Sequence, residues 1–466
     1  MAAAALPRSG ADTGDRLAVL EAVLTGQVIR PGDAIYDEAR QVHNASYDRR
    51  PMAIVKVADA ADVAATVQYA RANHLGVAVR SGGHSMAGHG TGDGVIVIDL
   101  GDLRGLHLDP QARLAWAGAG LTAGEVTEAA SPHGLAVPFG DTGSVGVGGI
   151  TTGGGIGFLA RKFGMTIDSL VSAEVVTADG RILTASVAEN PDLFWGIRGG
   201  GGNFGIVTRF CFRLQPVGET ILGGALFMPP TREVLRGLVP LAASAPEELT
   251  TISMLMPIPP APFVPEELHG RQSLVVMFVY AGDPVRGEQA LAPFRELATP
   301  MAELVAPMPY AGIYKLTDGA GERHASMTRS MFMDAFDDEA VDAVMRAAET
   351  PMGMVQLRVL GGAMSRVAPG ATAFAHRRQQ VLLTIITPFA DPSSVEAARA
   401  WTRDLYAALR PSANGVYANF LEDEGDDRIR EAYPGDTYRR LVSLKRRYDP
   451  SNLFRLNQNI RPGAPS

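Results

Sequence analysis

A glycine-rich turn between two apolar segments is the feature that most constrains the fold of this chain. Residues 77–80 have the character of a strand, Ser81-Gly82-Gly83-His84-Ser85 follows, and residues 95–98 form a second apolar segment. A turn that presents several backbone N–H groups in succession can bind a phosphate or pyrophosphate. In the usual dinucleotide fold such glycines open a helix, whereas here they lead into another strand. The sequence therefore predicts a pyrophosphate cofactor bound in a different way, with an imidazole beside it.

The composition argues against several classes of partner and site. Lys and Arg total 42 against 50 Asp and Glu, a net charge of −8, so we expect no nucleic acid partner. No apolar run is long enough to cross a bilayer, and no membrane association is predicted. The single cysteine, Cys211, excludes an internal disulfide and is typical of a reducing compartment, which predicts a cytoplasmic protein. The histidines show no ligand-like spacing, so no metal site is predicted.

Length and patterning predict two domains, because 466 residues exceed one hydrophobic core. Residues 53–214 alternate between short strands and helices. From about 216 the apolar strands become longer and are separated by helices, which indicates an α+β unit built on one antiparallel sheet. We therefore divide the chain into residues 1–215, 216–405 and 406–466.

Glycine is concentrated in two further clusters. Residues 143–157 contain eight glycines and residues 199–205 contain five, and apolar residues are interleaved with the first cluster. Glycine costs backbone entropy on folding, so dense glycine in an apolar context indicates close approach to the backbone. Tight loop packing would explain one such cluster, whereas three clusters favour a large ligand.

Several motifs follow one another in a family-specific order. They are Arg80-Ser-Gly-Gly-His84, Gly146-Val-Gly-Gly149 with Gly153-Gly-Gly-Ile-Gly157, Asn190-Pro-Asp-Leu-Phe-Trp195, residues 199–207 and Tyr448-Asp-Pro through Ile460. Together they resemble the berberine bridge enzyme-like FAD-linked oxidases of the vanillyl-alcohol oxidase/PCMH-type superfamily. The resemblance implies an α+β fold in which residues 1–215 and 406–466 form a two-subdomain FAD-binding domain. Residues 216–405 would be an inserted substrate domain.

The resemblance implies FAD bound covalently through a ring nitrogen of His84 to the flavin 8α-methyl carbon. A neutral imidazole is a competent nucleophile near pH 7, which suits that role. The alternative is a turn histidine that hydrogen-bonds locally. Many family members carry a second link through a cysteine, but Thr142 stands at that position, so His84 is predicted to be the single tether.

The resemblance also implies the remaining cofactor contacts. They are Arg80, Ser81, Gly82, Gly83, Ser85, Gly88, His89, Thr142, Val145, Gly148, Gly149, Gly153, Gly205, Ile206, Asn457 and Asn459. His89 would make a structural contact, and Asn457 and Asn459 would reach the pyrimidine edge of the flavin. Val145 matches the family's oxygen gate, where a small side chain leaves room for O₂ and favours an oxidase.

Three residues are predicted to be catalytic. Tyr417-Ala-Asn419-Phe resembles a family strand, on which Tyr417 and Asn419 would point to the same side over the flavin. Tyr417 would accept a substrate proton, for which neighbours must depress its pKa from about 10. Its alternative is a ring that caps a core edge. The Thr142 hydroxyl would donate to flavin N5 or to an oxygen species, or it would be only a turn threonine.

The substrate domain offers weaker signals. Gln356 and Arg358 alternate with apolar residues, so both would project from one face of a strand, and Tyr310 and Tyr314 are further pocket candidates. The alternative for each is a partly exposed sheet or loop residue. The predicted activity is an oxidase that acts on a small-molecule alcohol, amine or activated C–H with O₂. A dehydrogenase with another acceptor and a flavin carrier without turnover remain open, and His84 disfavours a reductase fed by NADPH.

Overall fold

The computed structural model describes residues 13–258, 260, 264–317, 323–389, 391 and 393–463. Within them the strands are β1 Gln27–Ile29, β2 Ala53–Lys56, β3 Val77–Arg80, β4 Ile96–Asp99, β5 Leu106–Asp109, β6 Leu114–Gly118, β7 Leu135–Ala136, β8 Leu170–Val176, β9 Ile182–Ser186, β10 Ile206–Arg213, β11 Gln215–Pro216, β12 Ile221–Met228, β13 Leu249–Pro257, β14 Gln272–Tyr280, β15 Ala302–Met308, β16 Ala325–Met333, β17 Met354–Val359 and β18 Val381–Phe389. The helices are α1 Thr13–Glu21, α2 Tyr36–Ala39, α3 Ala60–Ala72, α4 Ala123–Ala130, α5 Val147–Gly153, α6 Ala160–Phe163, α7 Pro191–Ile197, α8 Arg232–Ser244, α9 Pro284–Leu297, α10 Asp338–Ala348, α11 Ala363–Arg366, α12 Val395–Leu409, α13 Asp426–Ala432 and α14 Asp436–Tyr448.

The first sheet, in the order β1-β2-β4-β3, contains the two apolar segments that flank the glycine turn. These segments are confirmed as β3 and β4, and they pair in parallel with β2 on the far side of β4. Parallel neighbours require a crossover of about a dozen or more residues. Residues 81–95 provide that crossover without a helix, which leaves the backbone of the glycine turn at the carboxyl end of β3.

The second sheet, in the order β5-β6-β10-β8-β9, is antiparallel and shares a core with the first. Val67 of α3 and Phe210 of β10 both lie in this core. Leu441 and Leu444 of α14 are buried in it as well, so the C-terminal segment packs against the N-terminal half of the chain. Cys211 lies buried on β10.

The third sheet has seven antiparallel strands in the order β15-β12-β14-β13-β17-β18-β16, which confirms the antiparallel sheet of the middle segment. Helices α8, α9, α10 and α12 cover one face and build a second core with it. The opposite face packs partly against residues of the N-terminal half, including Phe158 and Leu159. Helix α12 continues across the predicted boundary at residue 405 and buries Leu409 in the second core.

Candidate FAD and substrate site

The glycine turn after β3 packs directly on the loop that precedes α5. A Cβ on Gly82 would lie 2.8 Å from the Cα of Gly146, and a Cβ on Gly146 would lie 2.8 Å from the Cα of Gly82. The Ser81 hydroxyl donates to the carbonyl of Ala119 at 2.6 Å and accepts from the Gly148 N–H at 3.3 Å. Two predicted clusters therefore meet backbone to backbone, and a side chain at Gly82 or Gly146 would force them apart.

His84 lies in this turn, stacked on the ring of His43 with centroids 4.2 Å apart and planes at 19°. The ring of His324 contacts that of His43 edge-on, with centroids 5.5 Å apart. Burial lowers the pKa of His84 to about 4, helped by His43 and opposed by a backbone hydrogen bond to Ser144. His84 is therefore a neutral imidazole near pH 7.

His43 and His324 were not predicted, because no spacing in the sequence links them to the glycine turn. The His43 backbone N–H donates to Gly83 O at 3.1 Å, and the chain around Asn44 forms a parallel bridge with His324. The three rings come together only because the segment before β2 runs between the glycine turn and the strand β16 region.

Arg80, one of the predicted cofactor contacts, ties the glycine turn to its surroundings. Its guanidinium is buried and bonds to Asp99 at 2.7 Å, to the carbonyl of Ala39 at 2.5 Å and to that of Gln41 at 3.1 Å. Because its charge is already paired with Asp99 inside the protein, the Arg80 side chain anchors the turn. Gly83 and Gly88 have positive φ values of 71° and 64°, which explains glycine at both positions.

Gly205 and Ile206 likewise serve the fold in this structure. A Cβ on Gly205 would lie 2.6 Å from Val175 and 2.8 Å from the carbonyl of Val176. Ile206 begins β10, is buried and pairs with Val176. Tight packing of β10 on β8 accounts for this pair of residues.

The C-terminal tail forms the second part of the site. The side-chain oxygens of Asn457 and Asn459 are buried and have no hydrogen-bond partner among the described residues. Both line a cavity of about 350 Å³, together with His89, Gln458, Arg49 and Arg455. Burial lowers the pKa of His89 to about 4. Unpaired buried acceptors require a donor, and the N3–H group on the pyrimidine edge of a flavin is such a donor.

Three residues that the sequence did not single out fix this tail. Lys445 and Asp449 form a fully buried ion pair at 2.8 Å, and Lys445 Nζ also donates to the carbonyls of Asn203 and Phe454. Asn203 accepts from the N–H of Ile460 at 2.9 Å. The spacing of Lys445 and Asp449 matches an i,i+4 helical pair, but only burial distinguishes them from solvated charges.

Tyr417 and Asn419 meet, although not in the predicted way. Residues Ala418–Phe420 form a 3₁₀ turn and not a strand, closed by a bond from Phe420 N–H to Tyr417 O at 2.9 Å. The turn brings Asn419 Nδ2 to 3.0 Å from the Tyr417 hydroxyl oxygen, which also accepts from the Gly155 N–H at 2.8 Å. The predicted depression of the Tyr417 pKa is wrong. Burial raises it to about 12, against the lowering effect of Gly155, Asn419 and Arg358.

Helix α5 connects the two halves of the site. Gly148, near its start, faces Ser81, and Gly153, at its end, lies against the carboxamide of Asn419. Gly153 is five positions after Gly148, which corresponds to a rise of about 8 Å along the helix axis. Gly149 lies between and has no atom within 4 Å of an added Cβ. The histidine turn and the tyrosine turn are therefore held at a fixed, short separation.

Thr142 and Val145 lie in the turn before α5. Thr142 is half-buried, and its carbonyl accepts from Val145 N–H at 3.4 Å. Val145 packs against the first core, and its carbonyl accepts from the N–H of Ala123. Ser85 closes the histidine turn by accepting from Gly88 N–H at 3.0 Å.

On strand β17, Gln356 and Arg358 share one face, as predicted, and Val355 and Leu357 point into the second core. Both polar residues are buried, so the alternative of partial exposure does not hold for them. Arg358 pairs with Asp141 at 2.8 Å. Tyr310 is wholly buried in the apolar cluster between the two halves of the chain, and burial raises its pKa well above the usual value. Tyr310 is therefore a core residue in this structure.

Comparison with known proteins identifies the family. A family model described as "FAD binding domain" matches residues 51–186, and one described as "Berberine and berberine like" matches residues 416–461. The chain is 31% identical to (R)-6-hydroxynicotine oxidase of Paenarthrobacter nicotinovorans over 94% of this chain and 97% of that protein. The chain belongs to the berberine bridge enzyme-like FAD-linked oxidoreductases.

Further relatives agree with this assignment. Chitooligosaccharide oxidase of Gibberella zeae is 27% identical over 93% of this chain and 92% of its own length. Among solved structures, BBE-like 1 of Physcomitrella patens superposes with a TM-score of 0.85 at 22% identity, covering 94% of this chain and 97% of that one. This berberine bridge enzyme-like protein is thus an FAD-dependent oxidoreductase with the PCMH-type α+β fold that its motifs predicted.

Two features, a membrane-spanning helix and a metal-binding cluster, are absent from the described part of the chain. None of its helices has the length and apolar character required to cross a bilayer. Its His, Cys, Asp and Glu side chains form no group of three or more with an arrangement that could hold a metal ion.

Proposed function

We propose that this protein is an oxidase that removes a hydride from a small-molecule alcohol, amine or activated C–H, with FAD attached covalently to His84. FAD held at this site would supply a two-electron acceptor, and its reoxidation by O₂ would yield H₂O₂. Two of the relatives named above are oxidases, one of 6-hydroxynicotine and one of chitooligosaccharides, which supports the class of reaction but leaves the substrate open.

The state of His84 carries the proposal. A neutral imidazole keeps a lone pair on one ring nitrogen, and that nitrogen is the nucleophile a carbon–nitrogen bond requires. Forming the bond would break one C–H bond of the flavin 8α-methyl group and the imidazole N–H bond and release both protons, and the electron pair would pass through the flavin to O₂. Burial and the stacked His43 keep His84 neutral far below physiological pH. The packing of Gly82 on Gly146 then holds the imidazole in one place, which reduces the entropy lost when the bond forms.

We assign the reacting groups to the end of α5. The Tyr417 hydroxyl would contact the substrate hydroxyl or amine, and Asn419 and the Gly155 N–H hold its oxygen. These donors would also stabilise the phenolate if Tyr417 takes the proton. Thr142 and Val145 would face the flavin ring, with Val145 leaving space for O₂. Gln356 and Arg358 would contact the substrate from the sheet.

The remaining cofactor contacts follow from the same arrangement. The backbone around Ser81, Gly82 and Gly148 would bind the pyrophosphate, and the unpaired oxygens of Asn457 and Asn459 would accept from the flavin. Residues 1–215 and 406–466 would form the FAD domain around residues 216–405. With a single buried cysteine, we place the protein in the cytoplasm.

Acid precipitation tests the covalent bond. Wild-type protein should give a yellow, flavin-fluorescent pellet and a fluorescent band on a denaturing gel, and His84→Ala should give neither. His89→Ala is the matched control, because it removes another buried, neutral histidine of the same loop. A colourless wild-type pellet, or a yellow pellet from His84→Ala, would contradict the assignment.

Reoxidation separates the oxidase from its alternatives. After anaerobic reduction, admission of air should restore the oxidised flavin spectrum rapidly and release H₂O₂. Slow reoxidation with fast electron transfer to a quinone would identify a dehydrogenase. Failure of every compound in a screen of sugars, alcohols and cyclic amines to reduce the flavin would point to a carrier without turnover.

A further inference from the structure

Arg358 differs from the other buried arginines in the use of its donors. Its Nη2 donates to Asp141 at 2.8 Å, and its guanidinium carbon lies 4.9 Å from the centre of the Phe420 ring. Its Nε and Nη1 atoms are buried and have no hydrogen-bond partner among the described residues. The side chain is only 5% exposed, so bulk water does not compensate.

Arg377 and Arg161 show what a purely structural buried arginine looks like in this fold. Arg377 donates to both carboxylate oxygens of Asp168, at 2.7 and 2.9 Å, and to two further protein oxygens. Arg161 donates to four backbone carbonyls from all three of its nitrogens. Arg358 is the one arginine in the described part of the chain whose buried nitrogens lack acceptors.

An unsatisfied donor on a buried cation is costly, and a fold keeps it where a ligand completes it. The guanidinium of Arg358 lies over the Phe420 ring, whose centroid is 5.0 Å from that of Tyr417, so Arg358 borders the proposed reacting groups. Gln356 lies on the same face, and the hydroxyl of Thr384, its partner across the strands, is also buried without a hydrogen bond among the described residues. The polar groups left open on this sheet face are concentrated around Arg358.

We propose that Arg358 determines substrate specificity by binding an anionic oxygen, a carboxylate, on the substrate. This proposal rests on the assignment of the Tyr417 region as the substrate site. Nε–H and Nη1–H lie on different edges of the planar guanidinium, so the carboxylate accepts from one of these open donors, and Asp141 and Phe420 hold the guanidinium in position. A cationic amine fits this site less well, because Asp141 is already paired and an open donor would face the ammonium group. A carboxylate adds a full negative charge opposite the guanidinium, which a neutral carbonyl does not, and this favours the carboxylate.

Titration of the flavin-containing protein with benzoate, benzamide and benzylamine tests the proposal through changes in the visible flavin spectrum. The three probes share a ring and differ in charge. Wild-type protein should bind benzoate most tightly. Arg358→Gln should weaken benzoate binding about 10- to 100-fold, as expected for hydrogen bonds to a charged group, and should leave benzamide nearly unchanged. Arg358→Lys should retain part of the preference.

Two more variants sharpen the result. Asp141→Asn should tighten benzoate binding, because it removes a competing carboxylate from Arg358. Arg366→Gln is the control. It removes an exposed arginine of the neighbouring helix α11, which is paired with Glu247. If Arg358→Gln loses its flavin, Arg358→Lys and Asp141→Asn decide the question.

The proposal would be overturned if wild-type protein bound benzoate no more tightly than benzamide, or if the preference survived in Arg358→Gln. A change in flavin spectrum or content in Arg358→Gln without a change in probe preference would assign the open donors to the cofactor. The titration measures binding without turnover. Its outcome is therefore independent of whether O₂ reoxidises the flavin, which is tested separately.

Discussion

Alanine at Gly153 should disrupt the candidate site from within a helix that otherwise favours alanine. A Cβ on Gly153 would overlap the carboxamide of Asn419, with Nδ2 at 2.5 Å and the two other carboxamide atoms closer still. Because the whole carboxamide is in the way, Asn419 must rotate and lose its 3.0 Å bond to Tyr417. Gly149→Ala is the matched control on the same helix, since an added Cβ there has no atom within 4 Å.

The expected magnitudes have opposite signs. Overpacking and the lost hydrogen bond should cost Gly153→Ala about 1–3 kcal/mol, reduced by about 0.5–1 kcal/mol from the better helix propensity of alanine. Gly149→Ala should gain that propensity term and unfold at an equal or higher temperature. Thermal unfolding followed by circular dichroism measures both changes, and the flavin-to-protein absorbance ratio reports cofactor content.

Cofactor content adds a second reading of the control. If Gly149 contacts FAD, Gly149→Ala should fold normally but carry less flavin, whereas Gly153→Ala should lose stability even without the cofactor. Equal shifts in unfolding temperature for the two variants, or a stabilised Gly153→Ala, would refute the packing of Asn419 against α5.

Two further predictions concern the pKa of Tyr417 and the buried ion pair. With a pKa of about 12, Tyr417 is ionised in about one molecule in 10⁴ at pH 8, so if it is the proton acceptor, kcat/KM should rise about tenfold per pH unit on the alkaline side, and Tyr417→Phe should abolish that rise. A flat wild-type profile would show instead that Tyr417 only donates a hydrogen bond. Lys445→Ala should lower the free energy of unfolding by about 3–5 kcal/mol in urea titrations, because Asp449 is left charged and buried. Arg439→Ala, which breaks an exposed pair with Asp436, is the control and should leave the urea midpoint almost unchanged. Similar midpoints for both variants would contradict the role assigned to Lys445.

The elements that depend on local patterning were the predictable part of this fold. Strands β3 and β4 follow from the apolar segments on either side of the glycine turn, and both lie within one residue of their predicted bounds. The Tyr417 turn was not predictable in this way. An alternating tripeptide is compatible with a strand, and only its contacts with Gly155 and α5 select the 3₁₀ turn.

The sequence by itself determined the cofactor class and the positions around which the site is built. The glycines at 82 and 146 and the histidine at 84 are specified by motifs, because backbone approach to a ligand demands particular residue types at particular spacings. Only the tertiary structure decided what those side chains face. His43, His324 and Asn203 come from distant segments. Burial and His43 make His84 neutral, burial makes Tyr417 a weak acid, and the pair with Asp99 makes Arg80 a structural anchor. Spacing along the chain encodes neither burial nor long-range contact. The glycine turn therefore indicates the class of cofactor from the sequence. The buried Arg358 nitrogens that lack acceptors, which we propose to bind the substrate, are identified only in the folded protein.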